Sequence, residues 1–262
     1  MNEFGIDSLQ YSAGQQITQA EVNQISFLIL KSGISSAGVP QMTTPAYFNQ
    51  TMTTFSFFEP SVVLMHQNNK PIGAYFFSYA WNRASAEYEA TIMCDSMDLL
   101  GNKPDWPLFL DWEKTGATQM AYYGAYEGCV YHGITPTSSM VQDISDGWKA
   151  VVESRGYHAG LYTSGSLASG LWGNTYLQNK RAQGLYYWEA TWAANPMLSC
   201  DIWQSAGDQQ WNGVTVDYDY VRDDRMWNIG PTPPTPPSTI PIWLKIYLAQ
   251  RGENNGKRTI LL

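Results

Sequence analysis

Short apolar runs alternate along this chain with longer stretches in which apolar and polar residues are mixed. A run of four to eight apolar residues is typical of a buried strand, and a spacing of three and four is typical of a helix packed on a sheet. Eight runs are predicted to be strands: Phe4–Asp7, Phe27–Lys31, Pro71–Ser78, Leu108–Glu113, His158–Thr163, Leu185–Ala193, Asp201–Gln204 and Val214–Tyr220. Four longer stretches are predicted to be helices: Pro45–His66, Arg83–Leu100, Ser138–Arg155 and Ser166–Asn179.

The order of these elements predicts the fold class. The first five strands are separated by segments long enough for a helix, whereas the last three follow one another closely. Repeats of strand and helix are typical of a parallel barrel. We therefore expect an α/β protein, a TIM-like barrel of the (β/α)5(β)3 type over residues 1–229, with eight strands and helices mainly in its first two-thirds. Segments 78–82 and 115–133 are predicted to be loops, the second with room for a short helix.

The composition changes at Gly230. Residues 230–241 are rich in proline and are predicted to form a linker in the polyproline II conformation. Residues 242–262 follow as a strand, a Gly/Asn turn and a second strand, which predicts a short C-terminal β-hairpin. Because an isolated hairpin is only marginally stable in water, we expect this segment to dock on its own barrel, on a second copy of the chain or on another protein.

Two carboxylates end the apolar run 107–113. Side chains alternate along a strand, so Asp111 and Glu113 are predicted to point the same way, roughly 6–7 Å apart at Cα. In an α/β barrel, the carboxyl end of a strand is where catalytic residues lie, and paired carboxylates cleave glycosidic bonds. The alternative is a solvated strand end. Asp7 and Asp217 are also predicted at strand ends, so all four acids would meet at one barrel mouth. The alternative for Asp7 and Asp217 is that they act only as caps of their strands.

Composition narrows the class of ligand. Aromatic residues make up 14% of the 262 residues, with 11 Trp and 17 Tyr, and such side chains either fill cores or stack on sugars. The formal net charge is −8, and lysine and arginine do not cluster among the aromatic residues. Nucleic-acid binding is therefore not expected. No apolar run reaches the ~18 residues of a membrane span, so we expect no membrane insertion.

Cysteine and histidine are too few and too dispersed to predict a metal site. The three cysteines, Cys94, Cys129 and Cys200, form no Cys-x-x-Cys pair, and we expect mostly free thiols. The three histidines show no ligand spacing. The opening residues lack the basic and apolar regions of a secretory signal, so the chain is predicted to be made in a cytoplasm without a signal peptide.

An ordered set of short motifs resembles a known family, the family 25 glycoside hydrolases, over roughly residues 4–225. These are lysozymes that are common among phage endolysins. The matching elements are Gly5-Ile6-Asp7-Ser8, Pro71–Phe77, Asp111-Trp112-Glu113, Tyr162-Thr163-Ser164, Trp188-Glu189-Ala190, Trp203-Gln204 and Val216–Asp219. The chain departs from the family pattern in four places: no residue separates Asp7 from Ser8, Asp219 stands where Asn is more usual, Trp192 replaces a common Tyr, and segment 115–133 is longer.

The resemblance implies an activity: cleavage of the β-1,4 bond between N-acetylmuramic acid and N-acetylglucosamine in bacterial peptidoglycan, without a cofactor. It assigns Glu113 as the general acid, and repulsion by neighbouring acids would raise the pKa of Glu113. Asp111 would stay ionised and orient the 2-acetamido group of the substrate, which then attacks; alternatively, an aspartate activates water with inversion. Asp7 and Asp217 would position these two.

Four further residues are expected at the same mouth. Tyr75 and Tyr162 would contact substrate, Gln204 would hydrogen-bond to it, and Trp188 is either a sugar platform or part of the core. The expected source is a phage, as a lysin or as a wall-degrading protein of the virion, with residues 242–262 contacting virion subunits or further copies of the chain. Two alternatives remain: a non-catalytic carbohydrate-binding or structural virion protein on the same barrel, and a glycosidase acting on chitin or another polymer. The Asp-x-x-Asp-x-Asp-x-Glu strand of chitinases is absent.

Overall fold

A closed barrel of eight strands forms the centre of the molecule in the computed structural model, which describes residues 3–34, 57–119 and 123–229. The strands follow one another around the barrel in chain order and are β1 (Phe4–Ser8), β2 (Phe27–Ile34), β3 (Ile72–Phe77), β4 (Leu108–Asp111), β5 (Ala159–Ser164), β6 (Tyr186–Ala190), β7 (Ile202–Trp211) and β8 (Val214–Val221). All eight predicted strands are present, and the predicted fold class is confirmed.

Helices cover the barrel between the early strands. They are α1 (Gln10–Ala13), α2 (Gln19–Val22), α3 (Phe58–Gln67), α4 (Arg83–Asp98), α5 (Ala125–Tyr131), α6 (Ser138–Ser154), α7 (Gly165–Leu167) and α8 (Asn174–Ala182). The chain from β6 to β8 runs without a helix. The predicted helices 83–100 and 138–155 are confirmed within two residues at each end, and α6 ends before Gly156, whose φ of 80° is the left-handed conformation typical of a glycine after a helix.

Two helix predictions need correction or qualification. The predicted helix 166–179 is divided: α7 continues into a π-helical turn at Ala168–Trp172, and Gly173, with φ of 78°, separates that turn from α8. The turn buries Trp172, whose indole N–H donates to the Ser145 hydroxyl at 2.7 Å. In the predicted helix 45–66, only the part from Phe58 is described as helix, and residues 45–56 lie outside the described residues.

The last strand closes the barrel in the opposite direction. Strands β1 to β7 are parallel to their neighbours, whereas β8 is antiparallel to both β7 and β1. A two-residue Asn212-Gly213 turn with positive φ at both positions joins β7 to β8. The prediction that Asp217 lies at the carboxyl end of its strand is therefore wrong. Because β8 runs backwards, its N-terminal half lies at the mouth where the parallel strands end.

Large and small side chains alternate inside the barrel. Phe27, Phe109, Trp188 and Ile202 fill the interior and are almost fully buried. Glycines on neighbouring strands make room for the rings: a Cβ atom on Gly160 would lie 2.2 Å from the Phe109 ring. The interior is thus a packed core, and its open cavity lies at the end where the parallel strands finish.

A buried ionic cluster closes the opposite end of the barrel. Asp201 is fully buried, and its carboxylate accepts hydrogen bonds from Arg181, Arg225 and the Tyr187 backbone N–H. Arg225 belongs to a 3-10 turn, Asp224–Asn228, that packs Met226 against the interior core. These contacts fix the chain up to residue 229, where the described residues end. The predicted linker 230–241 and hairpin 242–262 lie outside them.

The structure also describes the cysteines and the character of the helices. The three cysteines are free and buried. Within the described parts of the chain, no helix has the length and apolar character that crossing a bilayer requires.

Candidate active site

All eight predicted site residues surround one cavity. It has a volume of about 140 Å³ and lies at the end of the barrel where the parallel strands finish. Its lining residues are Asp7, Lys31, Tyr75, Phe77, Asp111, Glu113, Tyr162, Trp188, Gln204 and Asp217. Each of the eight strands contributes at least one of them, and Glu113 enters from the segment that follows β4.

Strand alternation places the Asp111–Glu113 pair. Asp111 is the last residue of β4 and faces the interior, whereas Trp112 points outward, is fully buried and donates its indole N–H to Ala80 O at 2.8 Å. Glu113 lies beyond the strand, and its carbonyl oxygen accepts from Tyr126 N at 2.9 Å. A Cβ atom on Gly124 would lie 2.5 Å from that same oxygen, so this glycine allows α5 to hold the Glu113 backbone. Both carboxylates therefore face the cavity, with Glu113 nearer its opening.

Gln204 connects the remaining two acids. Asp7 and Asp217 are direct partners in the β1–β8 ladder. The Gln204 side-chain N–H group donates to Asp7 Oδ2 at 2.8 Å and to Asp217 Oδ2 at 3.2 Å, and its carbonyl oxygen accepts from the Tyr162 hydroxyl at 3.0 Å. The other Asp217 oxygen accepts from Asp208 N at 2.6 Å. In this structure Gln204 is used inside the site, where it fixes two carboxylates.

Burial dominates the electrostatics of the catalytic pair. It raises the pKa of Glu113 above its ordinary value, with a smaller contribution from the Asp217 charge. Burial also holds the pKa of Asp111 well above its usual range, and the charge of Glu113 raises it further. Asp111 is 3% exposed, and its Oδ1 has no hydrogen-bond partner among the described residues.

These pKa directions bear on two expectations from the sequence. Like-charge repulsion was expected to raise the pKa of Glu113, but burial is the larger cause. Asp111 was expected to stay ionised beside a protonated Glu113, yet its own carboxyl is the more deeply buried of the two. Burial therefore opposes ionisation of both carboxyl groups, and their titrations are linked because a charge on Glu113 raises the pKa of Asp111.

The nearby positive charge comes from Lys31, which sequence analysis did not single out. Its ammonium group lies over the rings of Phe77 and Tyr75, 4.6 Å and 5.7 Å from their centroids. Burial lowers the pKa of Lys31, and the charges of Asp111, Glu113 and Asp7 oppose that shift. The sequence does contain a signal: Lys31 ends the apolar run 27–31 inside β2, at the position that parallel pairing aligns with Tyr75.

The aromatic residues of the cavity pack against one another. Trp188 is 1% exposed, with its ring 4.3 Å from that of Tyr162 and 6.0 Å from that of Tyr75. Of the two alternatives for Trp188, this geometry favours core packing, because no free face remains for a sugar. Burial raises the pKa of both tyrosine hydroxyls well above their usual range, so both are neutral donors.

Two further residues near the site were not predicted to belong to it. Asp219 lies below the cavity, fully buried, and accepts from Trp188 Nε1 at 2.8 Å. Trp192 lies at the rim and is 72% exposed. It covers Gly207, where a Cβ atom would be 2.7 Å from the indole and 3.5 Å from Asp217 Oδ1. Both positions were recognisable only as departures from the family pattern.

The acids do not form a metal site of the usual kind. Across residues 3–34, 57–119 and 123–229, no group of three or more His, Cys, Asp or Glu side chains is arranged to hold a metal ion. What the arrangement offers chemically is proton transfer: acids with raised pKa values, one lysine and two neutral phenols around a small cavity.

Comparisons with solved structures find the same fold. The chain is similar to a family 25 glycosyl hydrolase from Bacillus anthracis, with 15% identity, a TM-score of 0.60 and coverage of 87% of this chain and 93% of the other. It is also similar to the spore cortex lytic enzyme SleM of Clostridium perfringens, with 17% identity, a TM-score of 0.59 and coverage of 84% and 67%.

The modular autolysin LytC of Streptococcus pneumoniae is a third similar structure, with 16% identity and a TM-score of 0.60. The alignment covers 84% of this chain but only 46% of LytC, so the chain spans about half the length of that protein. At these identities the likeness shows the fold alone. No curated protein sequence matches the chain in a direct comparison.

The family assignment comes from the sequence itself. The family model described as glycosyl hydrolases family 25 matches residues 29–217, which is most of the barrel and includes strands β3 to β7 completely. The matched range contains the Asp111–Glu113 pair and ends at Asp217. The chain belongs to glycosyl hydrolases family 25.

Proposed function

We propose that this protein is a peptidoglycan hydrolase that cleaves the β-1,4 bond between N-acetylmuramic acid and N-acetylglucosamine. The observation that carries the proposal is the convergence of Asp7, Asp111, Glu113 and Asp217 on one cavity in a family 25 barrel. Several proteins of similar fold are described as autolysins, endolysins or a spore cortex lytic enzyme, and LytC has been solved with a synthetic peptidoglycan ligand.

In this proposal, Glu113 donates the proton to the leaving glycosidic oxygen. It is the acid nearer the opening of the cavity, and burial keeps its pKa above the ordinary value, so that a larger fraction carries the proton at a given pH. Departure of the leaving group creates positive charge on the sugar ring, which the remaining negative charge of the acid cluster stabilises.

The second half of the reaction has two routes. The 2-acetamido group of the substrate attacks the anomeric carbon while Asp111 orients it, or an aspartate activates a water molecule with inversion. Analysis of the anomer first released distinguishes them. An initial β-product indicates retention and the first route, and an α-product indicates inversion and the second.

The decisive experiment measures reducing ends released from purified Gram-positive peptidoglycan. Wild type is compared with Glu113→Gln, which keeps the shape of the side chain but cannot donate the proton. Loss of a general acid is expected to lower the rate by about 10²–10⁴-fold. Glu87→Gln is the matched control, because Glu87 lies on the outer surface of α4, paired with Arg83. Binding to walls without cleavage by wild type would instead support a non-catalytic carbohydrate-binding protein, and cleavage of soluble chitin oligomers alone would support a chitinase-like enzyme.

We further propose a phage source, with the protein acting as a lysin or as a wall-degrading component of the virion. Two of the similar structures are endolysins, one of them from a bacteriophage of Listeria monocytogenes, which is the support for this part. Residues 242–262 are proposed to contact virion subunits or a second copy of the chain. Deletion of residues 231–262 tests this role: unchanged oligomeric state, virion association and wall binding would contradict it.

A further inference from the structure

Asp219 is a carboxyl group in an unusual place. It lies in the interior of the barrel with 0% exposure, one step below the cavity along β8 from Asp217. One oxygen accepts the Trp188 indole N–H at 2.8 Å. The other, Oδ2, is buried and receives no hydrogen bond from any donor in the described residues. Burying an ionised carboxylate with one oxygen unpaired costs free energy of folding. A protonated carboxylic acid avoids that cost and can donate a hydrogen bond from its second oxygen.

Ladder register brings Asp7 to Asp219. The direct partners of Asp219 are Gly5 on β1 and Gln204 on β7. Because Gly5 has no side chain, the next interior side chain on β1 is that of Asp7. Burial raises the pKa of both carboxyl groups, and the charge of Asp7 raises the pKa of Asp219 further. Asp7 already accepts the Gln204 side-chain N–H, whereas Asp219 Oδ2 accepts from no donor in the described residues, so a proton shared by the two carboxyl groups is better placed on Asp219.

No positive charge compensates this pair directly. None of the ion pairs found among the described residues involves Asp7 or Asp219. The charged groups that face Asp219 are Asp7 and Asp217, both acids. The other titratable groups around the cavity above it are Lys31 from β2, Tyr75 from β3, Asp111 and Glu113 at β4, and Tyr162 from β5.

We propose that Asp219 is held as a neutral carboxylic acid that donates a hydrogen bond to Asp7, and that it is a positioning residue for the active site. Asp7 is in turn held by Gln204, which also binds Asp217 and Tyr162. Asp219 thus anchors the lower end of the hydrogen-bonded chain that sets the carboxylates around the cavity. A neutral acid and an asparagine both supply a donor at this position, whereas a carboxylate supplies none.

The proposal predicts a particular dependence of stability on pH. An acid whose pKa is raised in the folded state favours folding fully below its unfolded pKa, near 4, and that advantage is lost as the pH rises toward the folded pKa. Asparagine at this position keeps a donor and never ionises. The melting temperature of Asp219→Asn minus that of wild type should therefore increase with pH above about 4, by roughly 3–5 °C per pH unit until the folded pKa is reached.

The experiment measures melting temperatures of full-length wild type, Asp219→Asn and Asp143→Asn from pH 4 to pH 9. Asp143 is an exposed carboxylate paired with Arg83 and serves as the matched control, for which the difference should show no such increase. A difference for Asp219→Asn that stays flat, or that is equally negative at every pH, would mean that Asp219 is ionised in the folded protein and would overturn the proposal.

The second measurement rests on the proposed function. Cleavage of peptidoglycan is compared for Asp219→Asn and Asp219→Leu at a temperature below both melting points. The asparagine variant should retain most of the wild-type kcat, and the leucine variant, which has no donor for Asp7, should lose at least about tenfold. Equal activity of the leucine variant would refute the positioning role. If wild type itself were inactive, the proposed function would fail, whereas the melting curves would still decide the protonation of Asp219.

Discussion

Lys31 offers the sharpest test of how charge is distributed in the site. Among the described residues it is the one positive side chain lining the cavity, and its charge lowers the pKa of both Asp111 and Glu113. Replacement by methionine keeps an unbranched apolar side chain at this position and removes the charge that lies over Phe77 and Tyr75. Both carboxyl groups then become harder to ionise, so both limbs of the pH–activity profile should move to higher pH.

The magnitude follows from Coulomb's law. Two unit charges about 6 Å apart at an effective dielectric constant of about 20 interact by about 3 kcal/mol, or about 2 pKa units. The cavity is open to solvent, which screens part of this interaction, so we expect a shift of about one pH unit. A substitution that only disturbed packing would lower activity at every pH without moving the limbs.

The assay is kcat/KM for release of reducing ends, measured from pH 4 to pH 9 for wild type, Lys31→Met and Lys114→Met. Lys114 is the matched control, because it follows Glu113 in sequence but is exposed, with its ammonium group over the Tyr126 ring. A profile for Lys31→Met that coincides with wild type, or that moves to lower pH, would refute the electrostatic role of Lys31. An equal shift for Lys114→Met would also refute it.

Three further predictions follow from packing and exposure. Trp192→Ala should raise KM for peptidoglycan about three- to tenfold with little change in kcat, because its exposed ring lies at the rim of the cavity. Met197→Ala, at another exposed position, should leave KM unchanged, and steady-state kinetics compares the two variants. Gly160→Ala should lower the free energy of unfolding by about 1–3 kcal/mol in denaturant titrations, because its Cβ would meet a buried ring, whereas Gly170→Ala, where nothing lies within 4 Å, should not. Arg225→Met should cost about 3–5 kcal/mol by the same titration, because it removes one of two arginines from a fully buried carboxylate, and a loss below about 1 kcal/mol would contradict this account.

The strands and the acids could be read from the sequence because both depend on local pattern. A buried strand needs a short apolar run, and an acid at the end of such a run has few structural uses in a core. Asp7, Asp111 and Glu113 are visible on that basis alone. Gly156 and the Asn212-Gly213 turn are equally local, since positive φ favours these residue types.

The direction of a strand and the burial of a particular side chain could not be predicted from local pattern. An apolar run has the same pattern whichever way the strand runs, so the reversal of β8, and with it the inward placement of Asp217 and Asp219, depends on the closure of the barrel. Whether Trp188 faces a sugar or a core depends on rings contributed by other strands. The divided helix before β6 depends on where Trp172 can be buried.

By itself, the sequence determined which elements form and which chemistry-bearing residues they carry, because secondary structure and strand alternation follow from residues close together in the chain. Only the tertiary structure decided how those residues are charged. The closed barrel buries Asp111, places Lys31 close to it and sets the carboxyl groups of Asp7 and Asp219 near each other. These groups come from strands that are far apart in sequence. A pKa depends on the distance to such groups and on the exclusion of water, and neither exists until the barrel has closed.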